Sequence, residues 1–172
     1  AGWSGSGKTT LVERVVAALS ARGVVVSLIK HAHHSFDIDH EGKDSWRHRQ
    51  AGCREVMIGS GRRWSLTHEL RDEPEPSLQE MLAHLSPCDI VLVEGFKRAT
   101  IPKIEVRRVA VCEPAFYPED PHIIAVATDV TLDCGLPQLD INDPVAVADF
   151  IIRRFALLPL QAGPQTRPSP AS

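Results

Sequence analysis

The chain has 172 residues, 43% of them hydrophobic, and a formal net charge of −3. This size is typical of one domain with enough apolar content for a core. The charge and the lack of a basic stripe argue against nucleic acid or an anionic membrane as a partner. No apolar run approaches the ~18–20 residues of a membrane helix. The four cysteines lie far apart without a C-x-x-C pair, which indicates reduced thiols in a cytoplasmic protein.

The first ten residues contain the pattern G-x-x-x-x-G-K-[ST], the sequence of a phosphate-binding P-loop. Its glycines let the backbone approach an anion, and successive N–H groups then form a nest for phosphate oxygens. We expect Lys8 to reach the β- and γ-phosphates and the Thr9 hydroxyl to ligate Mg²⁺. The residues predicted to bind the nucleotide here are Gly2, Trp3, Ser4, Gly5, Ser6, Gly7, Lys8, Thr9 and Thr10.

A helix and a strand are predicted directly after the P-loop. Apolar residues between Leu11 and Leu19 fall on one helix face, and Gly23 is typical of a helix end. Residues 24–29 form an apolar, β-branched run typical of a buried parallel strand. A P-loop also needs a strand that leads into it. We therefore expect a central strand of roughly five or six residues ahead of Ala1, without which this chain folds poorly alone.

The next loop, residues 30–45, leaves the sheet edge where open α/β proteins bind ligands. Asp37, Asp39 and Asp44 are hard oxygen ligands suited to Mg²⁺. A polar surface loop is the alternative interpretation. The loop also contains histidines that would suit zinc or nickel, although no thiol or paired spacing completes a four-ligand set. These histidines are His31, His33, His34 and His40.

The middle of the chain predicts two helices and a hairpin. A short helix over 43–51 would have Trp46 as its main buried anchor. Residues 55–60 and 63–67 read as the strands of a hairpin, which would extend the sheet at an antiparallel edge near a second subunit. Ser77 and Glu80 form a capping box at the start of a helix that runs to about residue 85.

A Walker B strand is predicted over residues 90–94. Four apolar residues end in Glu94, which would deliver a carboxylate to Mg²⁺ or its water shell in place of the usual aspartate. Gly95 would let a backbone N–H face the γ-phosphate. Lys97 and Arg98 follow on the same edge, where they bind a second anion or face water.

The last third of the chain predicts three strands and a final helix. Residues 103–107 alternate as a half-buried strand does, 122–127 form a buried strand and 139–141 a short one. The late loops hold Thr128, Asp129, Asn142 and Asp143 in suitable places for base recognition, by position alone. A final helix runs from residue 144 to about 157 with four side chains inward: Val147, Phe150, Ile151 and Phe155.

The residues together predict an α/β, P-loop NTPase three-layer fold. Its sheet is mainly parallel with an antiparallel hairpin extension, and the N-terminal strand is missing from this chain. One nucleotide-binding domain covers 1–158, and 159–172 is a disordered tail. The residues alone leave guanine and adenine both open, because there is no Asn-Lys-x-Asp motif. No water-positioning Gln or arginine finger stands out, so any turnover is slow without a partner.

Three segments resemble the MobB family of molybdopterin-guanine dinucleotide biosynthesis adapter proteins: the P-loop, residues 29–45 and residues 92–97. Residues 125–129 and 139–143 are similar as well, so the resemblance runs from Gly2 to about Phe155. It implies a GTP-binding homodimer with weak GTPase activity, which brings GTP or molybdopterin to the guanylyltransferase that joins GMP to molybdopterin.

The resemblance also implies roles for individual residues. Gly95 joins the nucleotide-binding residues of the P-loop. The candidate catalytic residues are Lys8, Asp39 and Glu94. The candidate Mg²⁺ ligands are Thr9, Asp37, Asp44 and Glu94.

Two other classes of protein remain as alternatives. A metallochaperone GTPase of the nickel-insertion type is suggested by the histidine-rich loop, but it predicts a cysteine–histidine site at the dimer contact and no paired cysteine motif is present. A small-molecule kinase using ATP needs a lid over its acceptor pocket, and no arginine-rich lid segment is found.

Overall fold

Residues 1–32 and 36–157, the ranges that the computed structural model describes, contain four helices and seven strands. The order is α1 (Lys8–Ser20), β1 (Val26–Lys30), α2 (Asp44–Gln50), β2 (Glu55–Gly59), β3 (Trp64–His68), α3 (Leu78–Ala83), β4 (Ile90–Glu94), β5 (Lys103–Val106), β6 (Ile123–Thr128), β7 (Gln138–Asp140) and α4 (Pro144–Phe155). The predicted elements are confirmed, with ends shifted by a residue or two. Within these ranges, no helix has the length and hydrophobicity to span a membrane.

The chain divides into two compact units. The first comprises Ala1–His31 and the chain from His84 onward, and the second comprises Ala32–Ala83. The first unit contains the parallel strands. In it β1 pairs with β4, and β5, β6 and β7 pair side by side. Because the carboxyl ends of parallel strands share one edge, the residues that follow these strands gather there.

The core of the first unit connects the P-loop helix to the sheets. Most of its buried members come from α1, α4, β5 and β6, with Val24 and Ile141 from the loops, and partly buried residues of β1 and β4 pack against them. Leu19 of α1, Val126 of β6 and Val147 of α4 are almost fully buried. Each such side chain contributes about 1.5–3 kcal/mol of burial free energy. The position of α1, and of the loop before it, therefore follows from this packing.

Ala1 lies beside β5 in the manner of a parallel neighbour. Its amino group donates to the Ile104 carbonyl at 2.8 Å, and the Val106 N–H donates to the Ala1 carbonyl at 2.9 Å. Ala1 is thus hydrogen-bonded to two residues of β5, Ile104 and Val106, as a residue of a parallel neighbouring strand would be. The start of the P-loop is fixed to β5 by these bonds. A strand ahead of Ala1 stays a prediction.

The second unit contains α2, the hairpin and α3. Strands β2 and β3 pair antiparallel from Glu55 opposite His68 to Gly59 opposite Trp64, which confirms the hairpin. The capping box is confirmed too. The Ser77 N–H donates to Glu80 Oε2 at 2.7 Å, and the Glu80 N–H donates to the Ser77 hydroxyl at 3.3 Å.

Arg49 is the buried residue of α2, so the prediction that Trp46 is the main buried anchor is wrong. Trp46 is half-buried. The guanidinium of Arg49 donates to the carboxylates of Asp37, Asp39 and Glu69. Three carboxylates with direct hydrogen bonds offset the free energy of burying one positive charge. The positions of apolar residues in the sequence do not indicate that a charged residue such as Arg49 is buried.

Strand β5 is more deeply buried than its alternating sequence indicates. Lys103 and Glu105, which a half-buried strand would leave in water, are 9% and 0% exposed. The prediction of a half-buried strand is therefore wrong. Lys103 donates to Asp120 at 2.6 Å, and Glu105 accepts backbone N–H groups from Phe116 and Tyr117. A charged side chain whose hydrogen bonds are satisfied by such partners can occupy a buried position of a strand, where an apolar side chain would otherwise be expected.

Helix α4 buries Val147 and Ile151, as predicted. The inward position predicted for Phe155 is wrong, because this side chain is 40% exposed. Phe155 is the last residue of the helix, and its ring lies 5.8 Å from the guanidinium carbon of Arg154.

Some predictions fall outside the described residues. They are the tail at 159–172 and two histidines of the first loop, His33 and His34. The assignment of 1–158 to one nucleotide-binding domain stays a prediction.

Candidate phosphate-binding site

The P-loop backbone has a conformation that only glycine adopts readily. Gly2, Gly5 and Gly7 have φ angles of 146°, 78° and 86°. A Cβ atom on Gly2 would lie 2.6 Å from the Val106 carbonyl oxygen and 2.8 Å from the Ser6 hydroxyl oxygen, so no side chain fits there. Helix α1 starts directly after Gly7, and its unpaired N–H groups and positive dipole end lie at the loop. This is the cradle that a phosphate group needs.

Ser6 and Lys8 bring polar groups into that cradle. Ser6 is 1% exposed, and its hydroxyl has no hydrogen-bond partner among the residues described. Lys8 Nζ donates back across the loop to the Trp3 carbonyl at 2.5 Å. Burial, followed by the charge of Lys97, lowers the pKa of Lys8. A buried hydroxyl without a partner and a partly desolvated ammonium both favour a nearby anion, so these residues fit a bound phosphate.

Thr9 and Glu94 meet at the end of strand β4. The Thr9 hydroxyl donates to Glu94 Oε1 at 2.8 Å. The parallel register places Lys30 opposite Glu94, with Lys30 Nζ 3.8 Å from Glu94 Oε2. Hydroxyl and carboxylate oxygens are ligands that Mg²⁺ accepts together with phosphate. The structure thus brings together two of the predicted metal ligands, and this pair fits Mg²⁺, whose charge would neutralise that of a bound triphosphate.

Gly95 lets the chain turn sharply after Glu94. It has a φ of 103°, and a Cβ on it would lie 2.6 Å from the Cβ of His31. The His31 N–H donates to the Glu94 carbonyl at 2.8 Å, and the His31 ring lies 4.8 Å from the ring of Phe96. The ends of β1 and β4 are therefore held in contact, and Gly95 lies at the same edge as Glu94. Contact between the Gly95 N–H and a γ-phosphate stays a prediction.

An aromatic and cationic stack flanks the P-loop, and sequence reasoning missed it. The rings of Trp3 and Phe116 stack with centroids 4.9 Å apart and an interplanar angle of 23°. The indole N–H of Trp3 donates to the Pro114 carbonyl at 2.8 Å. Lys97 Nζ lies 4.8 Å from the Trp3 ring and 5.6 Å from the Phe116 ring, within cation–π distance. The loop around Phe116 has no sequence pattern that could reveal this contact.

Arg108 is a second group that the sequence did not reveal. Its Nε would lie 3.1 Å from a Cβ on Gly7, so the guanidinium covers that side of the P-loop. Arg108 Nη1 lies 3.5 Å from Asp129 Oδ2, and Nη2 lies 3.4 Å from Asn142 Oδ1. The late loops, which the sequence suggested by position alone, are thereby connected to the P-loop.

Asp37, Asp39 and Asp44 belong to the second unit. Arg49 Nη2 donates to Asp37 Oδ1 at 2.7 Å, and Arg49 Nε donates to Asp39 Oδ2 at 3.0 Å. The other Asp39 oxygen accepts from the Ser45 hydroxyl at 2.9 Å. The hydrogen bonds from Arg49 lower the pKa of Asp37, and those of Asp37 and Glu69 raise the pKa of Arg49. Asp44 is the exposed first residue of α2. Metal or catalytic roles for these carboxylates stay predictions.

The histidines and cysteines are placed as follows. His31 is half-buried behind Gly95, and His40 is exposed. All four cysteines are free thiols, as predicted. In residues 1–32 and 36–157, no group of three or more His, Cys, Asp or Glu side chains has a geometry that could hold a metal ion.

Comparison with known proteins shows which family this chain belongs to. The family model described as molybdopterin guanine dinucleotide synthesis protein B (MobB) matches residues 1–129. The molybdopterin-guanine dinucleotide biosynthesis adapter protein of Escherichia coli is 45% identical over 155 residues, which cover 88% of this chain and 89% of the relative. The adapter protein of the same name from Haemophilus influenzae is 44% identical over 154 residues, covering 87% and 84%.

A solved structure agrees with the sequence relatives. The crystal structure of a molybdopterin-guanine biosynthesis protein B (mobB) superposes with a TM-score of 0.71 at 28% identity, and covers 90% of this chain and 95% of that one. This likeness confirms the predicted fold class, and the relatives confirm the resemblance seen in the sequence. The chain therefore belongs to the molybdopterin guanine dinucleotide synthesis protein B (MobB) family.

Proposed function

We propose that the chain is a cytoplasmic, Mg²⁺-dependent GTP-binding adapter that assists a partner guanylyltransferase in attaching GMP to molybdopterin. Family membership supports the pathway, since the relatives in E. coli and H. influenzae are named as adapter proteins of molybdopterin-guanine dinucleotide biosynthesis. The observation that carries the nucleotide part is the hydrogen bond between Thr9 and Glu94 beside the glycine cradle. It joins the two P-loop NTPase motifs in one place, as Mg²⁺–triphosphate binding requires.

Different residues of this site bind the phosphates and the Mg²⁺ of the nucleotide. The backbone N–H groups of the P-loop and the ammonium of Lys8 bind the phosphates. Thr9 and Glu94 hold the Mg²⁺, which supplies positive charge to the β- and γ-phosphates. The sequence offers no glutamine or arginine in a motif that would activate water, so hydrolysis by the chain itself is weak. The adapter works as a homodimer, by presenting the bound nucleotide to the enzyme that uses it.

Calorimetric titration of the full chain with GTP and with ATP, each with Mg²⁺, tests the nucleotide part. We expect tighter binding of GTP. Lys8→Ala should weaken that binding about 100-fold, since the variant loses a charge-assisted contact to phosphate. Lys43→Ala is the matched control, because Lys43 is an exposed lysine of the second unit, and it should bind GTP as the parent does. Unchanged affinity in Lys8→Ala contradicts a role for the P-loop.

A reconstituted reaction tests the adapter part. The guanylyltransferase, molybdopterin and GTP are mixed with the parent chain or with Lys8→Ala, and the dinucleotide product is measured. The parent should raise the rate and Lys8→Ala should not. A rate that does not respond to the parent contradicts the proposal. A preference for ATP in the titration favours the kinase alternative, and stoichiometric binding of Ni²⁺ or Zn²⁺ in equilibrium dialysis favours the metallochaperone alternative.

A further inference from the structure

Lys97 places a positive charge beside the P-loop without an anionic partner. It is the third residue after Glu94, on the loop that leaves β4 at the carboxyl edge of the sheet. Its Nζ lies 4.8 Å from the ring centroid of Trp3 and 5.6 Å from that of Phe116. Among the residues that the structure describes, no carboxylate forms an ion pair with Lys97. An anion at this place would bind the ammonium group more strongly than the two rings do.

We propose that Lys97 binds the terminal phosphate of a nucleoside triphosphate in the P-loop, and that it thereby distinguishes a triphosphate from a diphosphate. This inference rests on the proposed nucleotide binding and adds to it a residue that recognises the γ-phosphate. Without a triphosphate, the ammonium group of Lys97 stays over the rings of Trp3 and Phe116. With a triphosphate, the ammonium group binds the γ-phosphate oxygens instead.

Lys97 and Lys8 both contact Trp3, the residue that follows the first glycine of the P-loop. Lys8 Nζ donates to the Trp3 carbonyl at 2.5 Å, and Lys97 Nζ lies near the Trp3 ring. After burial, the charge of Lys97 is the next cause that lowers the pKa of Lys8, so the two ammonium groups repel each other. A ligand with several negative charges, bound next to both groups, would offset this repulsion. The phosphates of a nucleotide have this charge.

The backbone of Lys97 is held in place, while the residue is exposed to solvent. The Lys97 carbonyl accepts a hydrogen bond from Lys103 Nζ at 2.9 Å. The Ala99 N–H donates to the Phe96 carbonyl at 2.9 Å, which closes a turn that contains Lys97. A lysine carries its charge on a flexible four-carbon stem. The ammonium group can therefore pass from the rings to a phosphate by side-chain rotation, without a change in these backbone contacts.

The contribution of Lys97 depends on the number of phosphates in the ligand. In a diphosphate, the β-phosphate is bound by the P-loop N–H groups and by Lys8, and no γ-phosphate is present to draw Lys97 from the rings. A triphosphate adds a further phosphate and more negative charge. A charge-assisted hydrogen bond to that phosphate is stronger than an exposed cation–π contact, so only the triphosphate gains from Lys97. The ratio of triphosphate to diphosphate affinity therefore reports the role of Lys97.

Lys97→Met removes the charge and keeps an unbranched apolar stem that packs on the two rings. The variant and the parent are titrated calorimetrically as full chains with Mg²⁺. The ligands are GDP and the β,γ-imido analogue of GTP, which is not hydrolysed during the titration. We expect Lys97→Met to bind the GTP analogue about 10- to 100-fold more weakly than the parent does, and to bind GDP within about threefold of the parent. Lys97→Arg keeps the charge, so it should keep the preference for the triphosphate.

Arg14→Ala is the matched control, because it removes one positive charge from an exposed position of α1 in the same unit. Its affinities for both ligands should match those of the parent. Lys8→Ala gives the contrasting pattern, since it should weaken the binding of both ligands. Equal losses of both ligands in Lys97→Met would overturn the assignment. So would a Lys97→Met protein that is folded by circular dichroism and keeps the parent's ratio, or an Arg14→Ala protein whose ratio falls as far.

The outcomes separate the role of Lys97 from the proposed function. A parent that binds GTP over ATP, with the ratio unchanged in Lys97→Met, overturns the role of Lys97 alone. A parent that binds no nucleotide overturns the proposed function and this role with it. Inorganic phosphate is also titrated into the parent saturated with the GTP analogue. If it binds there, and Lys97→Met loses only that binding, Lys97 serves a separate anion and the assignment is overturned. If Lys97→Met does not fold, Lys97→Gln, which is also uncharged, replaces it in every titration.

Discussion

Gly2 offers a direct test of how the P-loop is attached to the sheet. Two of the three positive-φ glycines in the loop, Gly2 and Gly5, differ in their surroundings. A Cβ on Gly2 would lie 2.6 Å from the backbone oxygen of Val106, whereas a Cβ on Gly5 would meet no atom within 4 Å. Replacing either glycine by alanine strains the backbone, and more so at Gly2, whose φ of 146° lies farther from the left-handed region than the 78° of Gly5. Only Gly2→Ala adds a collision with strand β5. The difference between the two variants therefore measures that collision together with the extra backbone strain at Gly2.

The expected magnitudes follow from these distances. An alanine forced to positive φ costs about 1–2 kcal/mol, and the lower entropy of its unfolded chain returns about 0.4–1 kcal/mol. Overpacking against atoms that cannot easily move adds about 1–3 kcal/mol. Gly5→Ala should therefore lose about 0–1 kcal/mol of unfolding free energy, and Gly2→Ala about 2–4 kcal/mol. Because domains have stabilities of about 5–15 kcal/mol, the second loss is large.

Urea unfolding followed by far-UV circular dichroism, without nucleotide, measures both variants. The slope of free energy against urea should be equal in the parent and the variants, so that midpoints report stability alone. Losses that agree within about 0.5 kcal/mol would refute the reasoning, because they would mean that Gly2 is not pressed against β5.

Three further predictions concern charged residues. Lys103 lowers the pKa of Asp120, so this carboxylate stabilises the fold above its unfolded pKa of about 3.9 and loses that effect as the pH falls further. Asp120→Asn should lower the urea midpoint at pH 7 and reduce its decline below about pH 4; a decline equal to the parent's contradicts the pair. Glu94→Gln should weaken GTP binding more with Mg²⁺ than with EDTA, and an equal loss in both titrations rejects its metal role. Glu105→Gln should cost about 2–3 kcal/mol in urea unfolding, since a buried charged acceptor is lost, and a parent-like midpoint would contradict this.

The motifs of the site were predictable because each is local in sequence. The spacing of the P-loop indicates a backbone conformation that needs glycine at particular positions. The apolar run before Glu94 indicates a parallel strand, although each residue of that strand is only partly buried in the structure. The rule that parallel strands share a carboxyl edge then brings Glu94 to the loop. Its hydrogen bond with Thr9 joins residues 85 positions apart, which only the two motifs together could indicate.

The buried charges could not be predicted, because their partners are distant in sequence and belong to no pattern. Arg49 is buried by virtue of carboxylates that lie 10, 12 and 20 residues away. From the sequence alone, a charged residue in a helix is expected to lie on the solvent-exposed face. Arg108 was missed for the same reason, since its contacts with Asp129 and Asn142 span 21 and 34 residues. Hydrophobic periodicity identifies the apolar faces of helices and strands, but it gives no information about ion pairs.

Strand β5 shows what these buried charges do for the site. Glu105 is fully buried and accepts the backbone N–H groups of Phe116 and Tyr117 at 2.8–3.0 Å, together with Arg107 Nη1 at 3.3 Å. Three donors, in four hydrogen bonds, satisfy a carboxylate that would otherwise be costly to desolvate. The result is a proline-rich loop held at a fixed place on the strand.

That fixed loop and its neighbour support the P-loop from outside. Phe116 stacks on Trp3, the second residue of the motif, and Lys97 lies over both rings. Lys103 Nζ in turn donates to the Lys97 carbonyl at 2.9 Å and to Asp120 at 2.6 Å. The two polar residues that made β5 look half-buried therefore hold both sides of the stack beside the phosphate cradle.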